Sequence, residues 1–200
     1  MKKILLFMFL AVVAVGASAQ TESISSVKNI NAANALCLFK FDDNGIHSEQ
    51  DSSKDYVVYE VPGVTASDLK SYAMSAISEL YKSPKDVLTT LGDNMIQLET
   101  YASHVFFTGG GSDTYPHDIS YSIIIQFKDG KVRYNAPNIK QIYADTFIGS
   151  LKLDMTKPIT TLIEGKNRGL VALEFNGLIK EINNKISTSN DCLLYTSPSP

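Results

Sequence analysis

The segment Ser122 to Tyr134 reads SIIIQFKDGKVRY, and it constrains the fold more than any other part of the chain. Asp129-Gly130 lies between two arms of alternating character. A two-residue hairpin turn needs positive φ at its centre, which an Asp-Gly pair supplies. Pairing outward from the turn sets Phe127 against Val132 and Ile125 against Tyr134, an apolar face. It sets Lys128 against Lys131 and Gln126 against Arg133, a polar one. Because a one-residue slip would exchange the faces, agreement between the arms specifies the register. The charged residues are therefore expected on a solvated sheet face, not in a reactive site.

Patterns on either side extend the sheet. Tyr56 to Val61 is β-branched and aromatic and ends at Pro62-Gly63, a strand and a turn. Thr65-Ala66-Ser67-Asp68 offers a helix N-cap with an acid three residues on. Leu69, Tyr72, Ala73, Ala76, Ile77, Leu80 and Tyr81 then follow helical spacing, and Ser83-Pro84 stops the helix. Short strands are expected at Val87 to Thr90 and from Asn94 to Phe107, with a break at Ala102-Ser103. Gly109 to Asp113 reads as a flexible loop by composition. Ile139 to Leu153 reads as an irregular strand. A long amphipathic helix begins between Pro158 and Arg168 and carries Val171, Phe175, Leu178, Ile179, Ile182 and Ile186 on one side. Strand, helix, antiparallel strands, helix is the order of an α+β domain, a curved antiparallel sheet with helices packed on one face.

This order, and above all Phe127 to Tyr134 (FKDGKVRY), resembles a family of exported bacterial proteins common in gut Bacteroidetes, a domain of unknown function with a TATA-binding-protein-like fold. The resemblance spans about Tyr56 to Tyr143. It departs in the absence of tryptophan and in the Gly109 to Pro116 loop. It implies a curved antiparallel sheet backed by helices, and it implies no catalytic residues.

The ends of the chain bear on location. Met1-Lys2-Lys3, the apolar run Ile4 to Val15 and the small residues before Gln20 read as a secretory signal peptide, residues 1–19, cleaved between Ala19 and Gln20. That run is shorter than the roughly 20 residues a membrane-spanning helix needs, and no second run of spanning length follows. The expected product is exported to the periplasm or beyond, without a transmembrane helix. Residues 20–55 read as an N-terminal segment and linker, 56–143 as the TBP-like domain, and 144–190 as a C-terminal extension with the amphipathic helix. Residues 191–200 read as a non-native tail: Cys192 to Pro200 resembles the conceptual translation of a transposase-based sequencing adapter. Whether Cys192 pairs with Cys37 is left open at this level; Cys37, in the apolar ALCLF segment, reads as a buried inert thiol.

Charge narrows the partners. Leaving Lys2 and Lys3 out of the 18 basic residues gives 16 against 21 acidic ones, a net charge of −5. Nucleic acid is not expected, because phosphate binding needs a basic surface.

No residue has the sequence pattern of a catalytic, cofactor-binding or metal-binding group. The glycines at 109–111 lack the following helix and lysine of a phosphate loop. His47, His104 and His117 have no metal-ligand spacing along the chain. His117-Asp118 beside Ser112 and Asp113 contains the residue types of a hydrolase triad, but in one loop and without a nucleophile elbow. Asp42-Asp43-Asn44-Gly45 departs from the EF-hand order and reads as a turn. Glu60, Glu99 and Glu174 cannot be paired from sequence. Three functions follow, in this order. The first is a non-enzymatic binding module for an envelope protein or component, using the exposed sheet face or the Gly109 to Pro116 loop. The second is a lipid or glycan carrier with Tyr59, Tyr101, Tyr121 and Tyr134 lining its pocket. The third is an exported hydrolase built on His104 or His117.

Overall fold

The structure, a computed structural model, describes residues 34–110, 113–146 and 149–194. The expected signal peptide and residues 195–200 of the expected tail lie outside the described residues. The chain divides into two compact units, Met1–Leu36 and Cys37–Pro200; the second is described here.

It begins with a hairpin, β1 (Phe39–Asp42) and β2 (Gly45–Ser48). Asp42 to Gly45 is the turn the sequence indicates. Gly45 takes φ 96°, and the Asp42 carboxylate accepts the Asn44 amide at 2.9 Å. The main sheet follows: β3 (Tyr56–Glu60), helix α1 (Ala66–Leu80), a helical turn α2 (Pro84–Val87), β4 (Leu88–Gly92), β5 (Met95–Gly110), β6 (Asp113–Lys128), β7 (Lys131–Asn135), β8 (Asn138–Thr146) and β9 (Gly149–Lys152). A helical turn α3 (Ile159–Leu162) leads into the long α4 (Lys166–Leu194).

All pairings are antiparallel, in the order β3-β7-β6-β5-β4, with β8 also beside β6 and β9 beside β8. The 16-residue β6 is the spine. Its near half, Ile125 to Lys128, pairs with β7, and its far half, His117 to Ser122, pairs with β8 on the same flank. The β6–β7 register is the one derived from the sequence, with Phe127 opposite Val132 and Gln126 opposite Arg133.

Alternation sends Ile96, Leu98, Ile119, Tyr121, Ile123, Ile125, Val132 and Tyr134 to one face, where all are fully or almost fully buried. Both long helices pack there. From α1 come Leu69, Ala73, Ala76 and Ile77, and from α4 Val171, Phe175, Ile179, Ile182 and Ile186. The Tyr121 and Phe175 rings meet edge-on at 4.7 Å. This is an α+β fold with helices on one face of an antiparallel sheet.

The Gly109 to Pro116 segment differs from expectation. Strand pairing continues to Gly110 opposite Asp113, so all but residues 111–112 belongs to a long β5–β6 hairpin. Thr114 and Tyr115 favour extended backbone, and cross-strand backbone bonds outweigh the permissiveness of the glycines. Helix α4 also reaches the N-terminal hairpin and the α3 turn. Asn176 of α4 holds β1, accepting the Phe39 amide at 2.8 Å and donating to the Phe39 carbonyl at 2.9 Å. Arg168 reaches the Ile163 and Thr160 carbonyls at 2.7 and 2.6 Å and pairs with Asp43.

Candidate functional site

With both long helices on one face, the opposite face of the sheet carries the other residue of each alternating pair. The Arg133 guanidinium lies over the Tyr56 ring, 3.8 Å from its centroid, and donates to Asn135 at 3.1 Å. Gln97 donates to Glu99 at 2.7 Å, and Lys131 pairs with Glu60 at 3.1 Å. Tyr101, farther along β5, is 53% exposed. It marks the edge of a second polar cluster.

There the register between β5 and β6 shifts. Ala102 faces Ile119 and Phe106 faces His117, so three residues of β5 stand against Asp118 alone. A bulge of this kind strands backbone groups that the ladder would otherwise use. His104, at its centre, takes the left-handed conformation, φ 56°. Asp118 repairs the ladder: one carboxylate oxygen accepts the His104 amide at 2.7 Å and the other accepts the Tyr101 hydroxyl. That carboxylate pushes the Tyr101 phenol up to about 12, through the hydrogen bond first and then through burial and the nearby charges of Asp118 and Asp145.

Strand β8 completes the cluster. Tyr143 is opposite Asp118, and its ring centroid is 5.8 Å from that of Tyr101. Two residues on, the Asp145 carboxylate lies 3.9 Å from His104 Nε2. One ligand atom from each of His104, Asp118 and Asp145 falls within 4.8 Å of the others. Asp118 is 6% exposed, whereas the side chains of His104 and Asp145 are 59% and 40% exposed, so a buried carboxylate sits beneath two groups open to solvent.

Two solved structures are similar to the chain. A TBP-like protein from Parabacteroides distasonis ATCC 8503 shares 9% identity over 66% of this chain and 90% of its own, with a TM-score of 0.45. A DUF4468 family protein from Bacteroides ovatus ATCC 8483 shares 11% identity over 84% of this chain and 98% of its own, with a TM-score of 0.35. No protein-family model and no curated protein matches the chain.

The other residues considered from sequence fall in separate places. His117 and Asp118 are neighbours in an extended strand and so point to opposite faces. The His117 ring stacks on Phe106 at 4.6 Å on the core side, and burial lowers its pKa. His117 and Asp118 therefore do not face one another; Ser112 and the Asp113 side chain lie outside the described residues. The Cys37 thiol donates to the Val58 carbonyl at 3.0 Å, and burial raises its pKa, in keeping with an inert thiol. His47 sits in the β1–β2 hairpin, 3.0 Å from Asp42. Tyr59, Tyr121 and Tyr134 are buried core residues, while Tyr101 is on the opposite face. Glu174 accepts from Tyr121 at 3.2 Å on the helix side, away from Glu99 on the open face.

Positions 104, 118 and 145 show no ligand spacing along the chain. The one local signal is the break in alternation at Ala102-Ser103, which marks the bulge but not its partners.

Proposed function

We propose that this chain is an exported, non-enzymatic binding module for an envelope protein or component, and that its contact surface is the sheet face opposite the helices. The observation that carries the reading is the one-sided packing of α1 and α4. The face it leaves open presents Tyr56, Arg133, Gln97 and Tyr101, side chains that combine aromatic area with planar hydrogen-bonding groups. Aromatic residues and arginine are enriched at recognition surfaces. The acidic balance of the chain favours a neutral or basic partner over nucleic acid. The space between sheet and helices, where a carrier would hold its ligand, is filled by Tyr121, Tyr134, Phe175 and Ile179, each no more than 1% exposed. Export itself rests on the residues 1–19 pattern.

Site-specific photo-crosslinking tests the surface. A photoreactive residue at Gln97 or Gln126 of the open face is expected to capture a discrete envelope component, and one at Leu173, exposed on α4, is not. Equal capture from both positions, or capture only from Leu173, would remove the sheet face as the contact surface.

A further inference from the structure

We propose that His104, Asp118 and Asp145 form a binding site for one divalent transition-metal ion of the zinc class. The inference does not depend on the sheet face being a contact surface. Three observations converge. The donor set is one imidazole and two carboxylates, a combination that suits zinc and its neighbours, whereas calcium and magnesium take oxygen ligands. The three ligand atoms already lie within 4.8 Å of one another. Bringing them to the usual zinc distances of about 2.0–2.2 Å asks only for small rotations, which the two exposed side chains can make. Finally, Asp118 is a carboxylate at 6% exposure with which no lysine or arginine among the described residues forms an ion pair. A buried carboxylate is costly unless a cation or several hydrogen bonds compensate it.

Asp118 is also oriented as metal ligands commonly are. Each of its oxygens accepts one hydrogen bond, from the His104 amide and the Tyr101 hydroxyl, and retains a lone pair for a metal. The bulge that takes His104 out of the ladder turns the chain so that its ring stands beside Asp145 on the neighbouring strand β8. The ion would thus tie β5, β6 and β8 together at the end of the sheet remote from the Asp129-Gly130 turn.

The test is a metal titration of the chelator-treated full chain with zinc, and with cobalt as a spectroscopic probe. The parent is expected to bind one ion per chain and to give the visible absorption of cobalt bound by protein ligands. His104→Asn, whose asparagine tolerates the left-handed backbone, and Asp145→Asn are each expected to weaken binding at least tenfold. Both variants should melt with the parent in chelator, and zinc should raise the melting temperature of the parent alone. Absence of binding at millimolar zinc would overturn the site. So would stoichiometric binding that both variants retain at parental affinity, which would place the ion elsewhere.

Discussion

The Asp129 carboxylate, in the turn of the central hairpin, accepts the backbone amide of Ala66 at 2.8 Å, across 63 residues of sequence. The hairpin turn thereby caps the first turn of helix α1. Gly130 seals the junction: its amide donates to the Val64 carbonyl at 2.9 Å and its carbonyl accepts from Val61 at 2.8 Å. Thr65 caps the same helix through the Asp68 amide, so two side chains from distant segments satisfy its free donors.

Asp129→Ala is accordingly expected to destabilise the protein by about 1 kcal/mol, the typical cost of losing an N-cap. Asp129→Asn, which keeps an acceptor, should cost less. Gly130→Ala is expected to cost about 1–2 kcal/mol, the penalty for a side chain in the left-handed region, since Gly130 has φ 72°. An added Cβ there would come no nearer than 3.8 Å to Pro62, so backbone strain and not collision is the cause. Urea denaturation of the three variants checks the order.

The paired hydrogen bonds between Asn176 and Phe39 imply that the β1–β2 hairpin is held by helix α4. Asn176→Ala strands both the N–H and the C=O of Phe39, and the expected loss is about 1–3 kcal/mol. Hydrogen exchange at Phe39 to Ser48 should accelerate more than in the central strands. Exchange that rises uniformly, or not at all, would contradict this anchoring.

The contribution of α4 to the core can be measured at Phe175, which is fully buried against Tyr121. Phe175→Ala is expected to cost about 3–5 kcal/mol. A loss below about 1 kcal/mol, the size of a surface substitution, would mean that α4 is an appendage.

The hairpin should also respond to pH at both ends. Asp42 is held at about 2, chiefly by the Asn44 amide and then by His47. Its share of stability is present above the ordinary value of 3.8 and is lost as pH falls towards 2. His47 is raised above 6.5, first by the hydrogen bond to the Ser48 carbonyl, then against burial by Asp42. Its share is present below 6.5 and is lost as pH rises through the raised value. The Asp42 share should therefore fade at the acid end of the urea-midpoint profile and the His47 share at the alkaline end, while His117, whose pKa burial lowers, adds a slope of opposite sign below 6.5. His47→Gln should remove the alkaline decline that His47 causes; its persistence unchanged would assign that decline to other groups.

Much of this protein was legible in its sequence because the signals are local. The Asp-Gly turn and the alternation of its arms specify register, since a slip would bury Lys128 and expose Phe127. The apolar spacing of Leu69 to Ile77 and of Val171 to Ile186 specifies two amphipathic helices. Composition misread the ends of Gly109 to Asp113, because a glycine run records what a backbone is permitted to do, whereas β5 and β6 decide through their mutual hydrogen bonds what it does. The pairing of Asn176 with the Phe39 backbone and of Arg168 with Asp43 is invisible along the chain, since the partners lie 137 and 125 residues apart. The same holds for His104, Asp118 and Asp145. Each lies on a different strand, and a two-residue offset in one register determines that they meet. Sequence by itself determined which faces are apolar and where the turns fall, because those depend on neighbours a few residues apart. Only the tertiary structure decided which polar side chains converge, because that depends on pairing between strands that no local pattern encodes.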